Sequence, residues 1–473
     1  MPLPDLIEIV PLDKPVRAEI TVPGSKSITN RALVLAALAD GETILTGALW
    51  SEDTQIMVEC LQDLGFIVNV APDPDEICNR TITVYGQGGT IPGGGTIENP
   101  LELFVGNAGT AARFLAALVC LGKGVYRLHG VPRMHERPQA ALFKVLRELG
   151  YRVDSPNDKL PATIFGRSSR RESAQTSKSG MSQSRLTSAA TVSIEESSQF
   201  ASALLLCAKH GGWEVKVVGE NAEESPYVAM TSELMKAFPH HGKFQIEPDA
   251  SSGSYFWGAG WLLEKFEFAN FVKTAQRVKI QDKPETYQLV GMPELSSLTV
   301  NRWPTSGWQI DADFTIFVRA QVASHPNEIS RAHDLGDSIM TAIVLASFTH
   351  QLSVKFPDLG RLRVQECERV AALRTELTKC GAKVVEEGDT LTVYPSKLHG
   401  AEIETYNDHR MAMCFAILGL KVPGSKIRNP TCVKKTFPNF FQKLAAPPPN
   451  GLGAAILDAK TRRKLEMKEL FAE

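Results

Sequence analysis

The chain has 473 residues, of which 51 are Lys or Arg and 53 are Asp or Glu, so its formal net charge is −2. This near-balance argues against a protein that binds nucleic acid through an overall basic surface. With 43% hydrophobic and 22% charged residues, the composition is that of a globular protein of about two or three domains. The longest apolar runs, such as residues 32–39, are far shorter than the roughly 18 residues of a membrane span.

The N-terminal sequence and the cysteines indicate the compartment. MPLPDLIEIV has neither the pattern of a secretory signal nor that of an Arg-rich transit peptide, so we expect a cytoplasmic protein. Cys60, Cys120, Cys207 and Cys414 lie in apolar helical patterns, and no CxxC or HExxH motif occurs. We therefore expect reduced thiols in the core and no metal site.

Six copies of one pattern run along the chain. Each copy has a loop rich in Gly, Ser or Asn, then an apolar Ala-rich helix, a turn containing Gly and a short β-type segment. The six loops lie at residues 23–31, 106–110, 197–199, 249–254, 335–337 and 406–410.

A second amphipathic helix is predicted after three of the copies, at residues 51–65, 137–150 and 366–381, each followed by a β-type run. This repetition predicts an α/β protein with two domains of three units each. Residues 264–334 read as irregular, and the polar stretch 168–184 reads as an exposed loop.

The placement of these loops before helices suggests anion binding. Helix N-termini present unpaired N–H groups and the positive end of the helix dipole, so phosphates and carboxylates bind there. In the first loop, Lys26 adds a charge, Ser27 a hydroxyl group and Arg31 a guanidinium about one turn later. The loop with Gly109 and Thr110 offers backbone donors, although a plain tight turn is the alternative.

More cations stand in similar positions: Arg133 before a helix, Arg369 in RVQECER, Arg410 after Tyr406-Asn-Asp-His, and Lys435 before Thr436. Each of them alone would be read as a surface residue in an ion pair. Together they predict a substrate with at least two anionic groups.

Two carboxylates are candidates for proton transfer. Asp337 precedes an apolar helix and could be only its N-cap, and Glu366 lies between Arg363 and Arg369 and could be only an ion-pair partner. If both face a cationic pocket, they could act as general base and general acid.

Eight motifs follow one another over residues 23–438: PGSKSITNRAL, GNAGTA-R, PRM-ERP, SSQF, DASS-SYF, E-ERV, YNDHRMAM and K-TFP. In this combination and order, the chain resembles the 5-enolpyruvylshikimate-3-phosphate (EPSP) synthase family. That family transfers the enolpyruvyl group of phosphoenolpyruvate (PEP) to shikimate-3-phosphate in the shikimate pathway and is the target of glyphosate. Both substrates are polyanions, as the cationic loops require.

The resemblance implies a fold and a domain division. The family has two inside-out α/β domains, each built from three βαβαββ units, with the active site in the cleft between them. It places residues 1–21 and 253–473 in the first domain and residues 22–252 in the second. It also implies a monomer that acts without a metal or cofactor and has neither nucleic-acid nor membrane partners.

The resemblance further implies roles for individual residues. Asp337 takes the proton of the 5-hydroxyl, Glu366 exchanges a proton with the PEP methylene carbon, and Lys26 touches both substrates. Shikimate-3-phosphate is held by Lys26, Ser27, Arg31, Ser197, Ser198, Gln199, Ser225, Tyr227, Asp337, Arg361 and Gln365. PEP is held by Lys26, Gly109, Thr110, Arg133, Gln199, Arg369, Arg410 and Lys435.

The chain departs from the family pattern at a few positions. Members usually have Lys where Gln365 stands, and Arg361, where many have Asn, could restore that charge. Phe114 stands where a Pro is common, and Ser225 is one residue nearer to Tyr227 than usual.

Two alternatives stay open at this point. One is the related UDP-N-acetylglucosamine enolpyruvyl transferase, which uses a reactive Cys, whereas no Cys occurs between Cys78 and Cys120 here. The other is a degenerate relative that binds shikimate-3-phosphate without turnover, as the loss of Lys at position 365 would allow.

Overall fold

The computed structural model describes residues 3–167, 188–195, 197–219, 225–239, 241–274, 277–280, 283–289, 296–323, 328–349 and 353–473. Its α-helices are α1 (Lys26–Leu38), α2 (Glu52–Asp63), α3 (Gly109–Leu118), α4 (Pro132–Glu136), α5 (Ala140–Glu148), α6 (Ser198–Gly211), α7 (Pro226–Ala237), α8 (Ala250–Thr274), α9 (Phe314–Ala323), α10 (Ile339–Ala346), α11 (Arg369–Lys379), α12 (His409–Gly419) and α13 (Phe440–Ala445). Over these residues no helix has the length and apolar character of a membrane span.

The strands are short and lie between the helices. They are β1 (Leu6–Ile9), β2 (Arg17–Ile20), β3 (Asp40–Leu49), β4 (Ile67–Pro72), β5 (Asn79–Gln87), β6 (Leu101–Phe104), β7 (Val125–His129), β8 (Val153–Asp154), β9 (Ala162–Phe165), β10 (Ser188–Ser193), β11 (Trp213–Val218), β12 (Gly242–Gln245), β13 (Arg277–Ile280), β14 (Lys283–Leu289), β15 (Ser297–Val300), β16 (Val354–Phe356), β17 (Val384–Glu387), β18 (Thr390–Val393), β19 (Glu402–Ile403), β20 (Lys426–Arg428) and β21 (Ile456–Asp458).

The chain divides into two compact units. The first unit comprises Met1–Val22, Ala250–Trp303 and Ile310–Glu473, and the second comprises Pro23–Asp249 and Pro304–Gln309. The sequence prediction placed residues 304–309 with the first domain, whereas Ser306 and Gln309 donate hydrogen bonds to Glu247 in the second unit. The division into two compact units does not show which segments fold independently as domains. The predicted domain limits therefore stay a prediction.

The repeats of the sequence reappear as sheets with one strand order. Three sheets contain the strand orders β3-β5-β4, β7-β9-β8 and β16-β18-β17. In each of them, the strand that follows the second helix (β4, β8 or β17) lies at one end of the order. The last strand in sequence (β5, β9 or β18) lies in the middle and pairs antiparallel with both neighbours. A parallel strand extends the first two of these sheets, as β12 and β6. The same βαββ pattern thus occurs in both units.

The six Ala-rich helices form the interior of the units. All residues of α3 and α10 are buried, and so are all of α12 except Arg410. A helix that is apolar on every side is stable only when other elements surround it. Each unit has its own apolar core, to which both helices and strands contribute.

The predicted helices are confirmed. Each of the six predicted loops leads into a helix, namely α1, α3, α6, α8, α10 and α12, although all of these except α10 begin inside the predicted loop, and the three predicted second helices are α2, α5 and α11. The predicted loop 168–184 lies outside the described residues.

The prediction that residues 264–334 are irregular was wrong. Helix α8 continues to Thr274, and α9 occupies Phe314–Ala323. The sequence FTIFVRAQVA is rich in β-branched and aromatic residues, which weaken the helical signal. Burial of Phe314 and Phe317 in the core favours the helix instead.

The last residues of the chain complete the first unit. Strand β21 pairs antiparallel with β1, and the backbone N–H of Ala472 donates to the carbonyl of Pro438 at 2.9 Å. Leu452, Leu465 and Leu470 are buried in the core together with the Phe side chains of α13. The C-terminal segment is therefore an integral part of this unit.

Leu470→Ala should lower the free energy of unfolding by about 2–5 kcal/mol, because it removes a fully buried side chain and leaves a cavity. Met467→Ala is the matched control, since Met467 lies in the same segment with 42% of its surface exposed and should change stability by about 0.5 kcal/mol or less. Urea unfolding measures both, and equal effects would show that the segment is not part of the cooperative core.

Candidate active site

In the second unit, Lys26 is the first residue of α1 and lies among carboxylates. Its ammonium group is 3.0 Å from Asp53, and its backbone N–H donates to Asp249 at 3.3 Å. The side chain of Lys26 is 16% exposed, and that of Asp53 is 4% exposed. The ion pair fixes the orientation of the Lys26 side chain at the N-terminus of α1.

Arg31, one turn into the same helix, is held by neutral acceptors. Its guanidinium donates to the hydroxyl groups of Thr231 and Ser202 at 2.8 and 3.0 Å and to the carbonyls of Ser27 and Tyr227 at 2.9 and 3.4 Å. Burial lowers the pKa of Arg31 to about 10, so the group stays charged at neutral pH.

The GNAGT loop leads into α3 and lies against two guanidinium groups. A Cβ added to Gly109 would stand 2.6 Å from Nη2 of Arg137 and closer still to Nη1 of Arg113. Arg137 also donates to the carbonyl of Asn107 at 3.1 Å, and Arg113 donates to that of Pro138 at 2.9 Å. A side chain at position 109 would therefore require both guanidinium groups to shift from these positions.

The third anion loop contacts the second. Ser197 caps α6 by accepting a hydrogen bond from the N–H of Gln199, and Ser198 is buried in the first turn. The amide of Gln199 donates to the hydroxyl of Thr110 at 3.2 Å. The structure thus brings the loops that begin α3 and α6 together.

Ser225 and Arg133 lie in different surroundings. Ser225 is buried just before α7, where Tyr227 offers its carbonyl to Arg31. Arg133 instead pairs with Glu136 inside the short helix α4 at 2.6 Å, and its side chain is 40% exposed. Among the predicted cations, Arg133 is thus held at the surface.

In the first unit, Asp337 is held between arginines. Its oxygens lie 2.7 Å from Arg331 and 3.2 Å from Arg410, and Ser338 rather than Asp337 occupies the N-cap position of α10. Burial alone would raise the pKa of Asp337, but the charges of Arg410 and Arg331 hold it well below its ordinary value. The carboxylate is ionised, and the alternative of a simple cap is excluded.

Glu366 contacts two of the cations predicted to bind PEP. Its oxygens lie 2.8 Å from Arg369 and 3.3 Å from Lys435. Arg363, its other candidate partner, turns away and pairs with Glu368, Glu386 and Asp389. Glu366 is therefore an ion-pair partner of Arg369, as one interpretation of the sequence predicted, but not of Arg363. Its two partners, Arg369 and Lys435, are both residues predicted to bind PEP.

Asp408 joins the beginnings of two helices. It accepts the N–H of Arg410 at 2.9 Å as the N-cap of α12, and it pairs with Arg369, the first residue of α11, at 2.7 Å. The side chains of Arg369 and Asp408 are almost completely buried. Gln365 accepts a hydrogen bond from the same Arg369, and Arg361 lies four residues before Gln365, in the 3₁₀ helix Gly360–Val364.

Several residues of these clusters did not emerge from the sequence. An Asp before an apolar helix is a cap signal, which could have pointed to Asp408 but not to its pairing with Arg369. Asp53 lies in the first turn of α2, where an acidic residue is common in any helix, so its sequence position does not point to Lys26. The residues missed are Asp53, Arg113, Asp249, Arg331 and Asp408. Among the described residues, no group of His, Cys, Asp and Glu has the arrangement of a metal site.

Sequence comparison identifies the family. The model of the family EPSP synthase (3-phosphoshikimate 1-carboxyvinyltransferase) matches residues 12–241 and 239–444. The chain belongs to the EPSP synthase family. The resemblance drawn from the motifs is thus confirmed. The chain is a transferase of the shikimate pathway, which moves the enolpyruvyl group of PEP to shikimate-3-phosphate and releases phosphate.

Individual relatives match nearly the whole chain. The 3-phosphoshikimate 1-carboxyvinyltransferase of Trichormus variabilis is 35% identical over 468 residues, covering 93% of this chain and 98% of the relative. That of Opitutus terrae is 36% identical over 480 residues, covering 94% and 98%.

Solved structures show the same fold. EPSP synthase from Acinetobacter baumannii matches with a TM-score of 0.61 and 19% identity, covering 95% of this chain and 99% of that one. The enolpyruvyl transferase NikO from Streptomyces tendae matches with a TM-score of 0.58 and 15% identity, covering 98% and 99%. The predicted fold class, two α/β domains of the enolpyruvyl transferase type, is confirmed.

Gly109→Ala should raise the KM for PEP by about 5-fold to 100-fold, because the methyl group would displace the guanidinium groups of Arg113 and Arg137. Initial rates at varied PEP measure this change. The dissociation constant of shikimate-3-phosphate alone is the control and should change much less. An unaltered KM for PEP would mean that the two arginines move aside without consequence.

Proposed function

We propose that the residues assigned from the family motifs carry out the transfer in this chain. Shikimate-3-phosphate is held by Lys26, Ser27, Arg31, Ser197, Ser198, Gln199, Ser225, Tyr227, Asp337, Arg361 and Gln365. PEP is held by Lys26, Gly109, Thr110, Arg133, Gln199, Arg369, Arg410 and Lys435. Lys26, Asp337 and Glu366 take part in the chemistry.

The reaction needs one base and one acid. The 5-hydroxyl of shikimate-3-phosphate attacks C2 of PEP and gives its proton to Asp337, while Glu366 supplies a proton to C3. In the tetrahedral intermediate, Glu366 takes a proton back from C3 as the bond between C2 and the phosphate oxygen breaks, and the leaving phosphate takes up the proton held by Asp337. The cations hold two anionic reactants that would otherwise repel each other.

The observation that carries this proposal is the pairing of both carboxylates with cations assigned to PEP. Asp337 contacts Arg410, and Glu366 contacts Arg369 and Lys435. An anion that binds these cations necessarily weakens their hold on the carboxylates. Because Arg410 helps keep the pKa of Asp337 low, its engagement with PEP raises that pKa and makes Asp337 a stronger base when substrate is present.

A single assay tests the activity. The protein is incubated with shikimate-3-phosphate and PEP in the presence of EDTA, and phosphate release is measured. Release that requires both substrates supports the proposal. Binding of shikimate-3-phosphate by calorimetry without phosphate release would favour the non-catalytic relative, and release with UDP-N-acetylglucosamine instead would favour the other transferase.

Asp337→Asn should lower kcat by about 100-fold to 10,000-fold, because the amide cannot accept the hydroxyl proton. Asp389→Asn is the matched control, since Asp389 lies in the same unit in an ion pair with its side chain 60% exposed, and it should retain wild-type kcat. Steady-state phosphate release measures both variants. A full rate for Asp337→Asn would exclude Asp337 as the base.

Glu366→Gln should abolish the uptake of deuterium into the C3 position of PEP and product when the reaction runs in D₂O. Glu387→Gln, at an exposed position in the same unit, should leave deuterium uptake unchanged. Mass spectrometry of recovered PEP and product reports the label. Persistent labelling in Glu366→Gln would assign the C3 proton to another group.

The assembly and the compartment are also proposals. The family resemblance supports a monomer that needs no cofactor. All eight cysteines are free thiols, and every one except Cys367 is buried, as expected in the reducing cytoplasm. Size-exclusion chromatography with light scattering should give the mass of one chain, 51.7 kDa.

A further inference from the structure

Arg31 differs from the cations of the first unit in the partners that surround it. Arg369 and Arg410 each contact a carboxylate, whereas no carboxylate among the described residues lies within ion-pair distance of Arg31. The acceptors of Arg31 are two hydroxyl groups and two backbone carbonyls. Only 2% of its surface is exposed, so its positive charge is buried with no counter-ion among the residues that the structure describes.

One aromatic ring faces this charge. The Cζ atom of Arg31 lies 5.3 Å from the centre of the Phe114 ring, within the range of a cation–π contact. Phe114 is completely buried on α3, five residues after Gly109 and next to Arg113. The contact therefore joins the helix that carries Lys26 and Arg31 to the helix that the GNAGT loop begins.

A ring and a carboxylate stabilise a buried guanidinium in different ways. A carboxylate would cancel the charge and would have to be displaced by an anionic substrate, at a cost in binding free energy. The negative face of an aromatic ring offsets part of the burial cost but leaves the net charge in place. With neutral hydrogen-bond acceptors, the ring keeps Arg31 oriented and its charge available to an anion.

We propose that Phe114 is a positioning residue for shikimate-3-phosphate: its ring holds the buried Arg31 guanidinium charged and oriented toward the anionic substrate. This inference rests on the proposed function, in which Arg31 binds shikimate-3-phosphate. A side chain without an aromatic ring at position 114 could not supply this contact.

The decisive experiment changes the ring's electrons and not its shape. Phe114 is replaced by 3,5-difluoro- and 3,4,5-trifluorophenylalanine, which progressively weaken the negative face of the ring at almost constant volume. The dissociation constant of shikimate-3-phosphate should rise with each fluorine, by about 2-fold to 30-fold in total. The KM for PEP and the thermal midpoint should change little.

Phe143 provides the matched control. It is equally buried in the same core, and among the described residues it has no cation–π partner. Trifluorophenylalanine at position 143 should leave the dissociation constant of shikimate-3-phosphate unchanged. An equal loss of binding from positions 114 and 143 would show a packing effect and overturn the proposal.

Arg31→Gln and Arg31→Lys separate this inference from the function on which it rests. If both variants bind shikimate-3-phosphate as tightly as the unaltered protein does, Arg31 does not contact the substrate. The proposed role of Phe114 is then wrong, whereas the transfer activity is unaffected by this result. If both variants weaken binding but the fluorinated series at position 114 is flat, the proposal for Phe114 is wrong and the role of Arg31 is retained. Phe114→Leu, which fills similar space without a ring, should behave like the trifluoro variant.

Discussion

The buried ion pair of Arg369 and Asp408 organises the cluster of charges in the first unit. Asp408 caps α12 and at the same time binds the first residue of α11, so one carboxylate fixes the beginnings of two helices. From this pair, Arg369 reaches Glu366, and the capped helix presents Arg410 to Asp337. Removing one partner of such a pair leaves an uncompensated buried charge, at a cost of about 3–5 kcal/mol. The positions of Glu366 and Asp337, the candidate acid and base, therefore depend on the ion pair between Arg369 and Asp408, in which neither of them takes part.

The two units hold their cations by different means, with different consequences for binding. In the first unit, Arg331, Arg369, Arg410 and Lys435 face Asp337, Glu366 and Asp408, so most of the positive charge is already compensated. An anion that binds there must compete with carboxylates, and in the proposed mechanism this competition couples substrate binding to proton transfer. The acceptors of Arg31 among the described residues of the second unit are all neutral, so an anion adds to these partners without displacing any carboxylate among them.

Much of the fold could be predicted because it repeats. An Ala-rich helix after a small-residue loop carries its own local signal, and all six of these helices are present, although most of them begin earlier than the sequence predicts. The failure at residues 264–334 has the opposite cause, since α9 is made of residues that favour strands and becomes helical by packing Phe314 and Phe317 into the core. The motifs located the cations for the same reason that they located the helices, because both belong to the loops at helix N-termini.

Which charges pair with one another could not be predicted. The net charge of −2 and the motif positions tell which charged residues are present and where they lie in the sequence. The pKa of each group, however, depends on neighbours that are distant in sequence. Arg331 stands in no recognised motif, yet it contacts Asp337 as closely as any residue of the cluster. Asp337 in the free protein is a weak base because three arginines stabilise its charge, and an anion that engages Arg410 reduces that stabilisation. In the proposed mechanism, occupancy of the anion site therefore sets the strength of Asp337 as a base, which links proton abstraction to the presence of PEP.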